Sequence, residues 1–189
     1  MNLKIYVFRH GQTVYNKKKI FTGSKDSKLT STGINQAKIL AKKLKSKKFE
    51  VAVCTKLLRS KDTLEYVLKN HPECERLVVD DRMTERKYGN LEGKSHEAII
   101  KKYGKEQFEE WHRGFSDKPP KGESFKDVEK RVNLFIKDLK KFMKKEKVNV
   151  AISAHGNSIR LFRKIMEKAP IKKVVSWNIP YDKIFEYKI

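Results

Sequence analysis

The sequence predicts an α/β fold: a single three-layer domain over residues 1–189, with a mostly parallel sheet covered by helices on both faces. Three observations predict it. Short β-prone apolar runs alternate with longer stretches whose apolar residues recur at three- and four-residue spacing. No linker or internal repeat divides the 189 residues, a length that suits one substantial core. Two of the runs end in His-Gly: Leu3 to Phe8 leads into Arg9-His10-Gly11, and Val148 to Ala154 leads into His155-Gly156. Two strands ending in histidine suggest neighbours that present imidazoles to one pocket, at the strand C-termini where open α/β sheets place their ligands.

The elements follow in order. The first strand runs from Lys4 to Phe8, and a polar loop from Gly11 to Ser31 follows. Ile34, Ala37, Leu40, Ala41 and Leu44 recur at helical spacing, with Thr30, Ser31 and Thr32 available as caps. Val51 to Cys54 is a short buried strand, and Leu58 to Leu68 a helix with Arg59 in its first turn. Leu77-Val78-Val79 is the third strand candidate. Residues 83–123 form an irregular excursion with two short helices, Ser95 to Lys102 and Lys105 to Arg113, closed by Pro119-Pro120 and Gly122. A long helix from Ser124 to Lys145 carries the stripe Phe125, Val128, Val132, Phe135, Leu139 and Phe142. A strand from Val148 to Ser153, a helix from Ser158 to Lys168 and an edge strand from Ile184 to Tyr187 complete the chain.

The formal net charge is +22, from 45 basic and 23 acidic residues. A nucleic-acid or membrane patch is one reading of that excess. The basic residues are mostly Lys in scattered pairs, with one triplet at Lys17-Lys18-Lys19, and no nucleic-acid motif accompanies them. The expectation is therefore solvated lysine-rich faces without a specific nucleic-acid partner, in a field that attracts small anions. Cys54 and Cys74 show no zinc spacing and read as free thiols of a reducing compartment. Lys4 interrupts any signal-peptide core, and no apolar run approaches the roughly 20 residues of a membrane helix. A cytoplasmic protein, monomer or homodimer, is expected.

The residues permit phosphoryl chemistry. A neutral imidazole can attack phosphorus and carry the phosphoryl group as phosphohistidine. Arg9, Arg59 and a charged His155 would keep His10 neutral and would stabilise the phosphoryl oxygens. Glu85 is the candidate proton donor for the leaving oxygen. Taken singly, each has a plainer reading: His155 a satisfied polar residue, Arg59 a surface helix residue, Glu85 an ion-pair partner of Arg86 or Lys87, and His71 a surface side chain. No HExxH, GxxxxGK[ST] or GxGxxG occurs, so neither metal nor nucleotide is expected.

Arg9-His10-Gly11-Gln12-Thr13 with His155-Gly156-Asn157-Ser158 resembles the histidine phosphatase superfamily. Within it, Phe21-Thr22-Gly23, the run Glu85 to Gly93, Trp111-His112-Arg113, Pro119-Pro120 and Asn178-Ile179-Pro180 resemble the cofactor-dependent phosphoglycerate mutases. The resemblance spans almost the whole chain and implies a phosphoglycerate mutase-like fold. It implies His10 as phosphorylated nucleophile; Arg9, Arg59 and His155 as phosphate pocket; and Glu85 as acid/base. It implies Thr13, Asn16, Thr22, Gly23, Tyr88, Arg113, Gly156 and Asn157 as contacts to phosphate or carboxylate. The implied reaction interconverts 3- and 2-phosphoglycerate, primed by 2,3-bisphosphoglycerate and without a metal.

Four departures bear on carboxylate recognition and water exclusion. His112 stands where mutases carry the first of two arginines. His96 stands where they carry a lysine, with Lys94 two positions earlier as the candidate substitute. The usual insertion before Glu123-Ser124 is almost absent, and the sequence ends at Ile189 without the tail that covers the site in many mutases. The rival expectation is a phosphatase of the same fold acting on small phosphate monoesters, with water as acceptor. A non-catalytic phospholigand or nucleic-acid binder would have lost His10 or Glu85, and both are present.

Overall fold

In the computed structural model, which describes residues 2–189, five strands form one sheet: β1 (Lys4–Arg9), β2 (Val51–Cys54), β3 (Arg76–Val79), β4 (Val150–Ala154) and β5 (Ile184–Lys188). Their order is β3-β2-β4-β1-β5. The first four are parallel, and β5 adds an antiparallel edge beside β1. The period-2 alternation of strand side chains separates two cores. Ile5 and Val7 of β1, Val51 and Val53 of β2, and Val150 and Ile152 of β4 belong to one core. Tyr6 and Phe8, Ala52 and Cys54, and Ala151 belong to the other. Near-continuous apolar strands are what a doubly covered parallel sheet requires.

Eight α-helices are described: α1 (Val14–Lys17), α2 (Ser31–Leu44), α3 (Leu58–Leu68), α4 (His96–Tyr103), α5 (Lys105–Arg113), α6 (Phe125–Glu146), α7 (Gly156–Glu167) and α8 (Ile171–Ser176). Leu40, Ala41 and Leu44 of α2, with Leu64 and Val67 of α3, cover the Tyr6–Phe8 face. The stripe of α6, with Ile159, Leu161 and Phe162 of α7 and Val174 of α8, covers the other. The excursion has a small core of its own, Phe21, Tyr88, Leu91, Ile99 and Phe108.

Most differences from expectation lie at element ends. Thr30 is the cap of α2, accepting from the Gly33 N–H, so the helix begins at Ser31. Ser124 and Asp127 form a reciprocal capping box that starts α6 at Phe125. Residues 148 and 149 precede β4, because the Asn149 N–H donates to the Glu50 carboxylate at 2.7 Å. The polar loop holds the short α1, and α8 lies where no element was expected. His71 is not a surface residue. It is 2% exposed, its ring lies 4.2 Å from that of Phe49, and its Nδ1 meets the Glu73 carboxylate at 2.9 Å. The turn that follows α3 folds it inward through the bond from the Cys74 N–H to the His71 carbonyl. No helix among the described residues is long and apolar enough to cross a membrane.

Candidate active site

The β1–β4 register builds the site. Arg9 pairs with Ala154, so His10 and His155 are the next residues on adjacent parallel strands, and their ring centroids lie 5.0 Å apart. His10 is 1% exposed, and its Nδ1 lies 2.7 Å from the Gly11 carbonyl. A carbonyl only accepts, so Nδ1 carries the proton and Nε2 keeps its lone pair. Burial, then Arg59, then Arg9 hold the imidazole well below the usual histidine range, so it is neutral. Gly11 is tied down by its N–H to Thr63 Oγ1, and Thr63 Oγ1 donates to the Arg59 carbonyl, which couples the β1 end to α3.

Arg59 is 1% exposed, not a surface residue. Its two terminal nitrogens donate to the carbonyls of Lys25 and Gly23 at 2.7 and 2.8 Å. Arg9 lies 4.0 Å from the centroid of the Tyr181 ring and donates to the Ile179 carbonyl, while its Nε has no partner. Gly156 lets it lie close: a Cβ there would stand 3.3 Å from the guanidinium carbon. His155 is fully buried, with Nε2 at 2.8 Å from Thr55 Oγ1 and Nδ1 without a partner. The expectation of a charged His155 is corrected here. Burial, then Arg59, His10 and Arg9 depress its pKa well below the usual range. In the tautomer whose Nε2 accepts from the Thr55 hydroxyl, the neutral ring carries its proton on Nδ1, a buried donor suited to an anion. The N-terminus of α7, opening at Gly156 and Asn157, adds the positive end of a 12-residue helix.

Glu85 is 8% exposed and forms no ion pair with Arg86 or Lys87. Its Oε1 accepts from the main-chain N–H groups of Arg86 and Asn157 at 2.8 and 3.1 Å, which leaves Oε2 as the atom for a transferable proton. The segment is anchored from behind. Arg86 donates to carbonyls of Glu123, Trp111, His112 and Asp117, and Arg131 to those of Arg82, Thr84 and Glu85.

These groups open into a cavity of about 210 Å³. Asn16, Thr22, Gly23, Tyr88, His112, Arg113, Gly156 and Asn157 line it, beside Arg9, His10, Arg59 and Glu85. His155 stands behind His10 rather than in the wall. Two expected contacts are not in the wall. Thr13 is fully buried as the cap of α1, where it bonds Asn16. Lys94 is exposed, and only its main chain is bonded, its carbonyl accepting from the Phe21 N–H and its N–H donating to the Leu91 carbonyl. Gly23 takes a positive φ of 52° where a Cβ would meet Glu92 Oε1 at 2.0 Å, so the 20–24 loop closes against the excursion.

The far wall is aromatic. His96 lies 4.5 Å from Phe21 and 5.1 Å from His112, and Phe108 lies 5.0 Å from His112. Burial, then Arg113 and His96, push His112 down to about 3, and burial also lowers His96. Lys19, Arg160, Asn178 and Tyr181 also line the cavity. Sequence reasoning reached Lys19 only as part of the loop Asn16 to Gly23, which offers donors for phosphate, and gave Arg160, Asn178 and Tyr181 no individual role. For Arg160 the readable signal was its spacing, three residues after Asn157 on one helix face. No group of three or more metal-binding side chains occurs among the described residues.

Comparison with known proteins shows the family of the chain. A model of the histidine phosphatase superfamily (branch 1) matches residues 5–188. The chain is 39% identical over 158 residues to a phosphoglycerate mutase of Schizosaccharomyces pombe, covering 80% of this chain and 74% of that one. It is 34% identical over 194 aligned residues to a 2,3-bisphosphoglycerate-dependent phosphoglycerate mutase of Rhizobium johnstonii, covering 100% and 91%. The alpha-ribazole phosphatase from Shigella flexneri superposes with a TM-score of 0.83 at 22% identity, covering 97% and 89%, a likeness of fold.

Proposed function

The chain belongs to the histidine phosphatase superfamily, and within it we propose a phosphoglycerate mutase that moves a phosphoryl group between the 2- and 3-oxygens of phosphoglycerate. One observation carries the reading: a neutral His10 with Nε2 free lines the cavity beside Arg9, whose buried Nε lacks a partner, with the His155 ring 5.0 Å away and its buried Nδ1 also without one. Unpaired buried donors are costly, and an anion satisfies both.

In this reading His10 Nε2 attacks phosphorus in line with the leaving oxygen. Arg9, Arg59 and the His155 Nδ1–H hold the non-bridging oxygens, where negative charge shifts as the bond breaks. Glu85 passes a proton from Oε2 to the leaving alkoxide. In the return step it takes the proton of the accepting hydroxyl, which attacks the phosphohistidine. Bisphosphoglycerate supplies the phosphoryl group that loads His10, and the same donors suit its phosphate. Arg113 faces the far end of the cavity for the glycerate carboxylate. The mutase names of the relatives support this substrate. A cytoplasmic setting belongs to the same reading, supported by two free cysteines. The positive charge at the phosphoryl group comes from arginine, so activity is expected to survive EDTA.

One observation favours a second reading, a phosphatase. His112 and His96 are neutral, so the far wall holds a bisphosphorylated intermediate less firmly, and water can take the phosphoryl group instead. Incubation with 3-phosphoglycerate, with and without 2,3-bisphosphoglycerate, separates the two. A mutase gives 2-phosphoglycerate that depends on the primer. Free phosphate as the only product selects the phosphatase.

A further inference from the structure

Arg160 has no role in the reaction described above, yet it is a buried arginine of the cavity wall with one nitrogen left without a partner. It is 5% exposed on α7 and lines the wall with no carboxylate in ion-pair contact. One terminal nitrogen donates to Asn157 Oδ1, the other to the Trp177 carbonyl, and Nε has no partner. By contrast, Arg86 is wrapped by four carbonyls. A buried cation so thinly held is disfavoured unless it serves a second purpose. Burial and the nearby Arg113 lower its pKa to about 10, which still leaves it charged at neutral pH.

Its bond to Asn157 has a directional consequence. A guanidinium only donates, so the Asn157 amide must turn its oxygen toward Arg160. The amide nitrogen then faces the other way and donates to Tyr88 Oη at 3.1 Å. Tyr88 Oη thus accepts from Asn157, and its own hydroxyl proton is free to point into the cavity that Tyr88 lines. Each link donates to the next, from Arg160 to Asn157 to Tyr88, and the chain of bonds ends in donors aimed at the substrate. The same Asn157 gives its main-chain N–H to Glu85 Oε1.

We propose that Arg160 is a positioning residue: it locks the Asn157 amide so that Asn157 and Tyr88 present donors, never the amide oxygen, to the substrate's phosphate. Without it the amide can flip and set its oxygen against an anion. The inference rests on the phosphoryl-transfer reading for its effect on catalysis, but not for the locked amide.

A double-mutant cycle with an activity-independent readout tests it. In the parent chain, Arg160→Met should lower kcat/KM for phosphoglycerate about tenfold, and Arg160→Lys, which keeps the charge and one donor centre, should recover part of the loss. In an Asn157→Ala background the same Arg160→Met change should cost less than about twofold, because the group through which Arg160 acts is gone. An equal loss in both backgrounds would mean that Arg160 meets the substrate itself or only supports the fold, and would overturn the proposal. So would an unchanged kcat/KM in Arg160→Met. Hydrogen exchange of the Asn157 side-chain amide, assigned by its absence in Asn157→Ala, supplies the second readout. Exchange should be at least about tenfold faster in Arg160→Met, or in Arg160→Lys if the Met variant does not fold. Unchanged exchange would overturn the proposal. If the parent chain transfers no phosphoryl group at all, the functional reading fails, and amide exchange still decides whether Arg160 holds Asn157.

Discussion

The two ends of the cavity are built from different material. Strand ends and first helical turns carry the phosphoryl end: His10 after β1, His155 after β4, Arg59 at the start of α3. There the sheet register fixes the imidazoles, while Glu85 is brought in by the excursion and held there through the bonds of Arg86 and Arg131. The far wall belongs to the excursion between β3 and α6, with its own small aromatic core and two histidines held neutral by burial. The phosphoryl end has cations and no carboxylate except Glu85. The far wall has rings, with Arg113 following His112 on the same helix, and Lys19 and Arg160 also line the cavity. In the proposed reaction the bond-breaking belongs to the strand-end side and the choice of acceptor to the wall, as in folds where loops on a fixed scaffold set specificity.

If that division holds, substitutions at the two ends differ in kind. The largest effect is expected for His10→Ala. Loss of the nucleophile should lower phosphoryl transfer to every substrate by at least about 10⁴-fold, with the thermal unfolding curve retained. Transfer that survives in His10→Ala would break the assignment of chemistry to the strand ends. Glu85→Gln comes next, with a loss of about 10²- to 10³-fold for phosphoglycerate and only a few-fold for p-nitrophenyl phosphate, whose leaving group needs no proton. Equal losses for both substrates would remove Glu85 from proton transfer.

The third test reads the wall's neutrality as stability. Histidine in the unfolded chain has a pKa of about 6.5, whereas folding holds His10, His155 and His96 lower and His112 at about 3. The folded-state values are depressed, so the stability they contribute is complete above pH 6.5. It is lost as the pH falls toward the folded values, because the unfolded chain takes up protons that the folded one refuses. For His112 alone the loss by pH 5 is about 2 kcal/mol. Urea unfolding of His112→Phe should therefore depend less steeply on pH between 6.5 and 4 than the parent chain, and parallel curves would show that His112 is not held neutral. The smallest expected effect concerns the acceptor. His112→Arg restores a permanent cation to the wall and should raise the ratio of 2-phosphoglycerate to free phosphate about tenfold, or about 1.4 kcal/mol. An unchanged ratio would take position 112 out of substrate recognition.

What was legible in the sequence follows the same division. Strand runs and the α6 stripe have strong periodicity, and both His-Gly pairs sit at strand ends, so the sheet and its imidazoles could be placed from local pattern. The contributions that escaped depend on contacts distant in sequence. Arg86 and Arg131 secure Glu85 through carbonyls that only the folded excursion brings together. His71 is buried by a turn against Phe49. The neutrality of His155 is a property of its burial among arginines, which no spacing reveals. Thr13 serves as a cap and Lys94 points to solvent, because a motif fixes chain position but not side-chain direction.

The central claim, that the strand-end side transfers the phosphoryl group through His10, is tested most directly by trapping. The chain is mixed briefly with 2,3-bisphosphoglycerate carrying labelled phosphate, quenched in base, digested and mapped. The account predicts acid-labile, base-stable label on the peptide that contains His10, and none in His10→Ala. Label on the peptide of His155, or an acid-stable phosphate elsewhere, would contradict it.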